Sequence, residues 1–324
     1  MKKIALIGAG QLGSRHLQGL AKSGIAISIE VVEPFEDSRN TAKQRFEEMS
    51  ANQNVIQIAF LETISQLSSH LDLVIVATNS DVRYNVVEEL LRNKSVSHLI
   101  LEKVLFQTIS EYALVKELLI DSNTKCWVNH PRRMFPFYQE LKTILLDADV
   151  MHFSISGGNW GMGCNGLHFL DCMEYLTGKK VTHIHTQLLD AQLYETKRSG
   201  FKEFNGLISG KIGNHTFSMS SLPEHVTPLQ FSITSNVASI VMDEVNGWMR
   251  ILKKDTQWTV ETMSEKIVYF QSEMTNRVLE DIFTAQCLLP TYEEAMSLHV
   301  KFLTALINHM NSFSKEHYDF CPIT

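Results

Sequence analysis

The chain has 324 residues, with 29 Lys and Arg against 36 Asp and Glu, a net charge of −7 and an isoelectric point of about 6.0. That length is ample for two domains with cores of their own, and the acidic balance argues against nucleic acid or an anionic membrane as the main partner. No apolar stretch is long enough to span a bilayer, and the run after Lys2-Lys3 breaks at Gly8, too early for a secretory signal. Five scattered cysteines (Cys126, Cys164, Cys172, Cys287, Cys321) lack metal-ligand spacing, which suits a reduced cytoplasm and implies no metal site.

The first half alternates strand and helix. Ile4 to Ile7 reads as a buried strand. Leu12, Leu17 and Leu20 give helical spacing, and Ile27 to Val32 reads as a second strand. A polar helix follows over about residues 37–50, then a strand over Val55 to Phe60 and a helix capped by Thr63 or Ser65. Leu73 to Ala77 is a continuous apolar run, as in a strand covered on both faces. A helix through Val86 to Leu91, a strand ending at Glu102-Lys103, a helix to about Leu119 and a strand over Lys125 to Asn129 complete the series. This rhythm predicts a doubly wound parallel sheet with right-handed crossovers over residues 1–125, a Rossmann dinucleotide-binding domain.

The glycine turn carries the chemistry. Gly8-Ala-Gly10-Gln-Leu-Gly13 stands between the first strand and the first helix. Gly8 allows the tight turn, Gly10 lets backbone approach a pyrophosphate, and Gly13 lets helix and strand pack closely. Gln11 and Leu12 open the helix, whose N-terminal N–H groups and dipole favour phosphate. Glu33 ends the second strand where an acid hydrogen-bonds ribose hydroxyls, and a carboxylate there would repel the 2′-phosphate of NADP, so NAD is the expected cofactor. Ser38-Arg39 lies close enough to reach such a phosphate; we read Arg39 as a solvated helix-face charge instead. Thr78-Asn79, Glu102-Lys103 and Asn129-His130 fall at strand carboxyl ends, on the same rim as the glycines and Glu33.

The second half, residues 126–324, changes character. After a helix over about residues 136–146, Met151, Phe153 and Ile155 alternate with His152, Ser154 and Ser156, and Leu229, Phe231 and Ile233 alternate with polar neighbours. With strands near Ile240 and Trp248 to Ile251, this predicts a mostly antiparallel open sheet in an α+β domain. A helix over about residues 166–176 interrupts it, ending at Gly178, and a long amphipathic helix covers about residues 290–310.

Three motifs resemble the glucose-fructose oxidoreductase / inositol dehydrogenase / rhizopine catabolism (Gfo/Idh/MocA) family. They are Gly8 to Gly13 followed by Ser-Arg-His16, then Glu102-Lys103-Val104, and then Cys164-Asn-Gly-Leu-His168-Phe-Leu-Asp171 leading to Gly178. The second is similar to the family's Glu-Lys-Pro, with Val104 for Pro. The third is similar to its Asp-x-x-x-His helix, with Cys164 for Asp. The resemblance implies NAD(P)-dependent oxidation or reduction of a sugar or polyol carbon, and the expected substrate is a sugar or nucleotide sugar. It also implies a homodimer or homotetramer built through the C-terminal sheet.

Oxidising a carbinol needs a hydride acceptor and a base. His168 fits the base and Lys103 a cation for the developing alkoxide. The alternatives are a histidine satisfied within a domain interface and a rim lysine paired with Glu102. Asp171, three residues from His168, either orients the imidazole or pairs locally. Arg132 and Arg133 read either as a clamp for an anionic substrate group or as salt-bridge partners. Trp160 either lines a sugar site or fills space, and Asn165 can give a hydrogen bond where Cys164 cannot replace a carboxylate. His16 is read as structural or as a cofactor-side contact. Two further readings stay open: a non-catalytic NAD-binding regulator, and an NAD-dependent glycosidase-type enzyme that retains its cofactor.

Overall fold

β1 (Lys2–Ile7) is buried from Ile4 onward, as a central strand must be. It runs into α1 (Gln11–Leu20), and the chain then passes through β2 (Ile27–Val32), α2 (Glu36–Glu47), β3 (Val55–Leu61), β4 (His70–Val76), α3 (Ser80–Asn93), β5 (Ser95–Leu101), α4 (Ile109–Asp121) and β6 (Lys125–Val128). Every pairing in this sheet is parallel, in the order β3-β2-β1-β4-β5-β6. The order reverses between β1 and β4, so the carboxyl ends of these two strands open a crevice. One expected helix is absent. After Thr63 there is only a 3₁₀ turn, Ile64–Gln66, with Gln66 Oε1 accepting the Thr63 N–H at 3.0 Å. The few residues between Leu61 and His70 leave no room for a helix and its two loops.

The computed structural model describes residues 1–223 and 226–324. After β6 come a turn over Pro131–Met134, α5 (Pro136–Ile144), β7 (Met151–Gly158), α6 (Met162–Thr177), β8 (Val181–Leu189), β9 (Tyr194–Glu195), β10 (Lys202–Glu203), β11 (Gly206–Ile212), β12 (His215–Leu222), β13 (Gln230–Ser235), β14 (Ala238–Asp243), β15 (Trp248–Lys253) and β16 (Val260–Ser264). Eight of these strands form one sheet, β16-β15-β14-β13-β7-β12-β11-β8, antiparallel except between β7 and β12. Phe153, Ile155, Phe217, Met219, Phe231 and Ile233 face its core, and His152, Ser156, Gln230 and Thr234 are exposed on the other side. The alternation expected for β7 and β13 is therefore present.

α7 (Gln271–Phe283) and α8 (Tyr292–Phe313) follow. The chain forms two compact units, residues 1–106, 110–129 and 269–296, and residues 107–109, 130–268 and 297–324. The expected boundary at 125/126 falls inside β6, and residues 269–296 return to the first unit. There α7 packs on α1 through buried Met274, Val278, Leu279 and Ile282. Gly19 permits the approach, since a Cβ there would stand 2.6 Å from Thr275 Cβ. Among the described residues, no helix is long and apolar enough to cross a membrane.

Candidate functional site

In the first unit the glycine turn opens on a cavity of about 540 Å³, lined among others by Gly8, Gly10, Glu33, Phe35, Ser38, Glu62, Thr78, Asn79 and Glu89. Gly8 takes φ +86°, and a Cβ on Gly13 would stand 1.8 Å from Gly8 O, so α1 can start this close to β1 only with glycine there. A Cβ on Gly10 would meet nothing within 4 Å. The backbone at the N-cap of α1 is thus open to a ligand, and the first-turn N–H groups have no intrahelical acceptors. Thr78 Oγ1 is buried and has no hydrogen-bond partner among the described residues. An orphaned hydroxyl on the cavity wall is a group that a bound ligand completes. Open backbone, helix terminus and hydroxyl fit a dinucleotide, which Gly8 to Gly13, Thr78 and Glu33 would hold.

Glu33, expected to contact a ribose, has a structural part within the turn. Its Oε2 accepts the Ala9 N–H at 2.7 Å and its Oε1 the Phe35 N–H at 3.1 Å, so the carboxylate braces the glycine turn from beneath. Two of its roughly four acceptor positions are thereby used. Arg39 is not the solvated charge expected of it. It donates to Glu33 O at 2.7 Å and to Glu62 Oε1 at 3.2 Å, which locks the turn after β2.

The end of β5 is held by a buried polar network. Glu102 is 3% exposed and His16 1%. His16 Nε2 lies 2.8 Å from Glu102 Oε1, and Asn129 Nδ2 donates to the same oxygen. His16 Nδ1 lies 3.0 Å from Thr275 Oγ1, whose own proton goes to Gln271 O at 2.9 Å. Thr275 Oγ1 therefore accepts, and Nδ1 of His16 donates. Asn129 Nδ2 also donates to Gln271 Oε1 at 2.9 Å. Burial works to raise the Glu102 carboxyl, but hydrogen bonds and charge from His16, with help from Asn129, outweigh it and hold the group below its ordinary 4.5. Glu102 is thus an internal strut that joins the end of β5 to His16 and Asn129. Next to it, Lys103 is half-buried, and its peptide bond to Val104 is cis. Arg83, 1% exposed, donates to Leu105 O at 2.9 Å and to Thr78 O and Val104 O, which ties the Thr78 loop to the Lys103 loop.

In the second unit, Arg133 and Asp171 form a buried two-pronged pair at 2.9 and 2.7 Å. Asp171 is thus paired with Arg133. Arg132 makes the same fork to Glu244 at 2.9 and 2.7 Å and stacks on Phe169 at 4.1 Å. Both arginines are salt-bridge partners within their own unit. Trp160 Nε1 donates to Ser220 O at 2.8 Å, and Asn165 Nδ2 donates to Trp160 O at 2.8 Å. Cys164 Sγ donates to Thr324 O at 2.6 Å, and Glu203 accepts the Gly163 and Cys164 N–H groups at 2.7 and 3.0 Å. His168 is half-buried on α6, with His130 Nδ1 3.3 Å from its own Nδ1.

Residues 2–130 match the model of an oxidoreductase family with an NAD-binding Rossmann fold, Gfo/Idh/MocA. No curated protein matches the sequence. Among solved structures, the UDP-N-acetylglucosamine 3-dehydrogenase GnnA from Acidithiobacillus ferrooxidans matches with TM-score 0.70 and 14% identity, over 96% of this chain and 98% of that one. A super-repressor mutant of Gal80p from Saccharomyces cerevisiae matches with TM-score 0.74 and 14% identity, over 96% of each chain. An oxidoreductase from Agrobacterium radiobacter, solved with NAD+, L-tartaric acid and magnesium, matches with TM-score 0.72 and 13% identity, over 96% and 97%. At these identities the likeness establishes the shared fold.

Within the first unit, several residues that hold the site carry no linear signal. Arg83, Gln271 and Thr275 act through contacts between distant segments. Arg45 on α2 is another: it donates to Gln11 Oε1 at 2.8 Å and to Ser14 Oγ, which lays a cation over the first turn of α1. Only the three-dimensional approach of α2 to α1 distinguishes it from other helix-face arginines.

Proposed function

We propose that the protein is an NAD-dependent dehydrogenase that moves a hydride between the nicotinamide and a hydroxyl-bearing carbon of a sugar or sugar derivative. The observation that carries this reading is the glycine-turn cavity with its orphaned Thr78 hydroxyl, joined through Arg83 to the loop that bears Lys103. Bound NAD supplies the hydride acceptor. Lys103 stabilises the negative charge that grows on the substrate oxygen, and His168 accepts the hydroxyl proton. NAD is favoured over NADP because Glu33, Glu62 and Glu89 line the cavity, while the nearby Arg39 is tied to Glu33 O and Glu62. We also propose that a second copy covers the polar outer face of the eight-stranded sheet.

A panel of sugars and nucleotide sugars with NAD and with NADP, followed by the absorbance of the reduced cofactor, tests the assignment. NAD should bind with micromolar affinity, and Lys103→Ala and His168→Ala should each lower turnover at least about 100-fold. Full turnover in the double variant would remove the assignment. A second reading, an NAD-binding regulator without turnover, is favoured by Cys164, whose thiol is engaged by Thr324 O where the resembled family has a carboxylate. Saturable NAD binding with no hydride exchange across the panel would select it.

A further inference from the structure

The hairpin between β11 and β12 fixes the protonation of one buried histidine. Gly213 takes φ +59° in the turn, and β12 then opens on His215, which is 3% exposed. The Met151 N–H, at the start of β7, donates to His215 Nδ1 at 3.1 Å. A ring nitrogen that accepts a hydrogen bond cannot also carry the proton, so the neutral ring is protonated at Nε2. Burial and the charge of Lys179 both pull the imidazole below its ordinary 6.5, which keeps it neutral at neutral pH. The Nε2–H is therefore a fixed donor, and among the described residues it has no acceptor.

His215 lines a cavity of about 460 Å³ within the second unit, and two ammonium-bearing side chains share its wall. Lys142 on α5 lies over the Tyr175 ring at 4.1 Å, and Lys179 follows Gly178, the left-handed cap of α6. The Lys179 stem packs on the hairpin, where a Cβ on Gly213 would stand 3.2 Å from its Cγ. Among the described residues, neither lysine is in an ion pair. Burial and the Arg133 guanidinium pull Lys142 below its ordinary 10.5, so its charge is held at a cost. The wall also carries Asp149, which accepts from Asn236 Nδ2 at 3.0 Å, and the C-terminal end of α6, worth about half a negative charge. Two ammonium groups outweigh both, and the cavity stays positive.

We propose that this cavity is a further binding site, for a small molecule that carries a phosphate or carboxylate group. The oxyanion accepts the His215 Nε2–H, and Lys142 and Lys179 supply the opposing charge. Binding satisfies a buried donor and balances two like charges on one wall. Water also accepts from an N–H, but it leaves those charges unbalanced. The volume is in the range of small-ligand pockets. The site uses no residue of the proposed hydride transfer, so it stands whether or not the protein is a dehydrogenase.

Calorimetric titration of the full-length protein with inorganic phosphate and with succinate, at neutral pH and constant ionic strength, tests it against a chloride control. At least one of the two should bind saturably, and the tighter one tells a phosphoryl ligand from a carboxylate. Lys142→Gln and Lys179→Gln should each weaken that binding about 10-fold while circular dichroism shows an unchanged fold. In ¹⁵N-histidine spectra, His215 should show a protonated Nε2 and a lone-pair Nδ1. The same anion should move the Nε2–H resonance, and chloride should not. No saturable binding by either probe, or shifts that chloride reproduces, would overturn the proposal. So would equal affinity in a folded variant carrying both lysine substitutions. The histidine resonance needs no variant, so the wild-type titration by itself decides whether an oxyanion reaches His215.

Discussion

Glu102 and His16 exchange a buried hydrogen bond that decides how the end of β5 behaves. Removing one member of such a pair leaves the other desolvated, which costs about 3–5 kcal/mol. Glu102→Gln should lower stability toward urea by an amount in that range at neutral pH. The native carboxyl titrates below its ordinary 4.5, so the unfolded chain takes up the proton first as pH falls. The stabilisation is complete above about 4.5 and is lost as pH drops through the lower native value. Urea midpoints of wild type and variant measured from neutral pH downward should therefore converge on the acid side. A gap that stays constant to low pH would mean that the carboxylate charge is not what holds the network. At this scale the sequence was readable for chemistry and silent on partners. Glu102, Lys103 and His168 stood out by residue type and position. That Glu102 turns inward to His16, and that Asp171 is engaged by Arg133, depends on segments far apart in the chain.

Helix α1 is an element under steric constraint at both ends. Gly13 sits against Gly8 O and Gly19 against Thr275. A methyl at the first position must displace backbone, whereas at the second it pushes on a side chain of α7. Gly13→Ala should therefore abolish micromolar NADH binding, read by fluorescence, even where circular dichroism shows a folded protein. Gly19→Ala should cost about 1–3 kcal/mol of stability while weakening the Thr275–His16 bond. Retained NADH affinity in Gly13→Ala would show that α1 can begin elsewhere. The parallel strands and their helices were legible because buried runs such as Leu73 to Ala77 and helical spacing such as Leu12, Leu17 and Leu20 are strong local signals. α7 and the strands β8, β11 and β12 were not anticipated. β11 and β12 carry Gly, Ser, Thr and His between their core residues, so their alternation is faint.

At the scale of the whole molecule, the first unit is discontinuous in sequence. Residues 269–296 return to it and supply Gln271 and Thr275 to the network under Glu102, along with the apolar face of α7. A fragment of residues 1–129 would expose the α1 surface that α7 covers and leave His16 without Thr275. It should fail to unfold cooperatively and should not bind NADH, measured by thermal circular dichroism and fluorescence. A cooperative, NADH-binding fragment would show that the returning helix is dispensable. No boundary drawn along the sequence at 125/126 could carry this, because the contacts that define the unit join residues some 250 positions apart.

What the sequence determined by itself was the dinucleotide-binding pattern and the residues that are candidates for chemistry. A glycine turn between strand and helix, an acid after the second strand and a lysine at a strand end are local patterns with local physical causes. The tertiary structure alone decided which of those polar groups face a ligand and which serve as struts. It buried Glu102, paired Asp171 with Arg133, tied down Arg39 and placed His130 against His168. Burial of a polar group demands a partner, and the partner is chosen by folding rather than by distance along the chain.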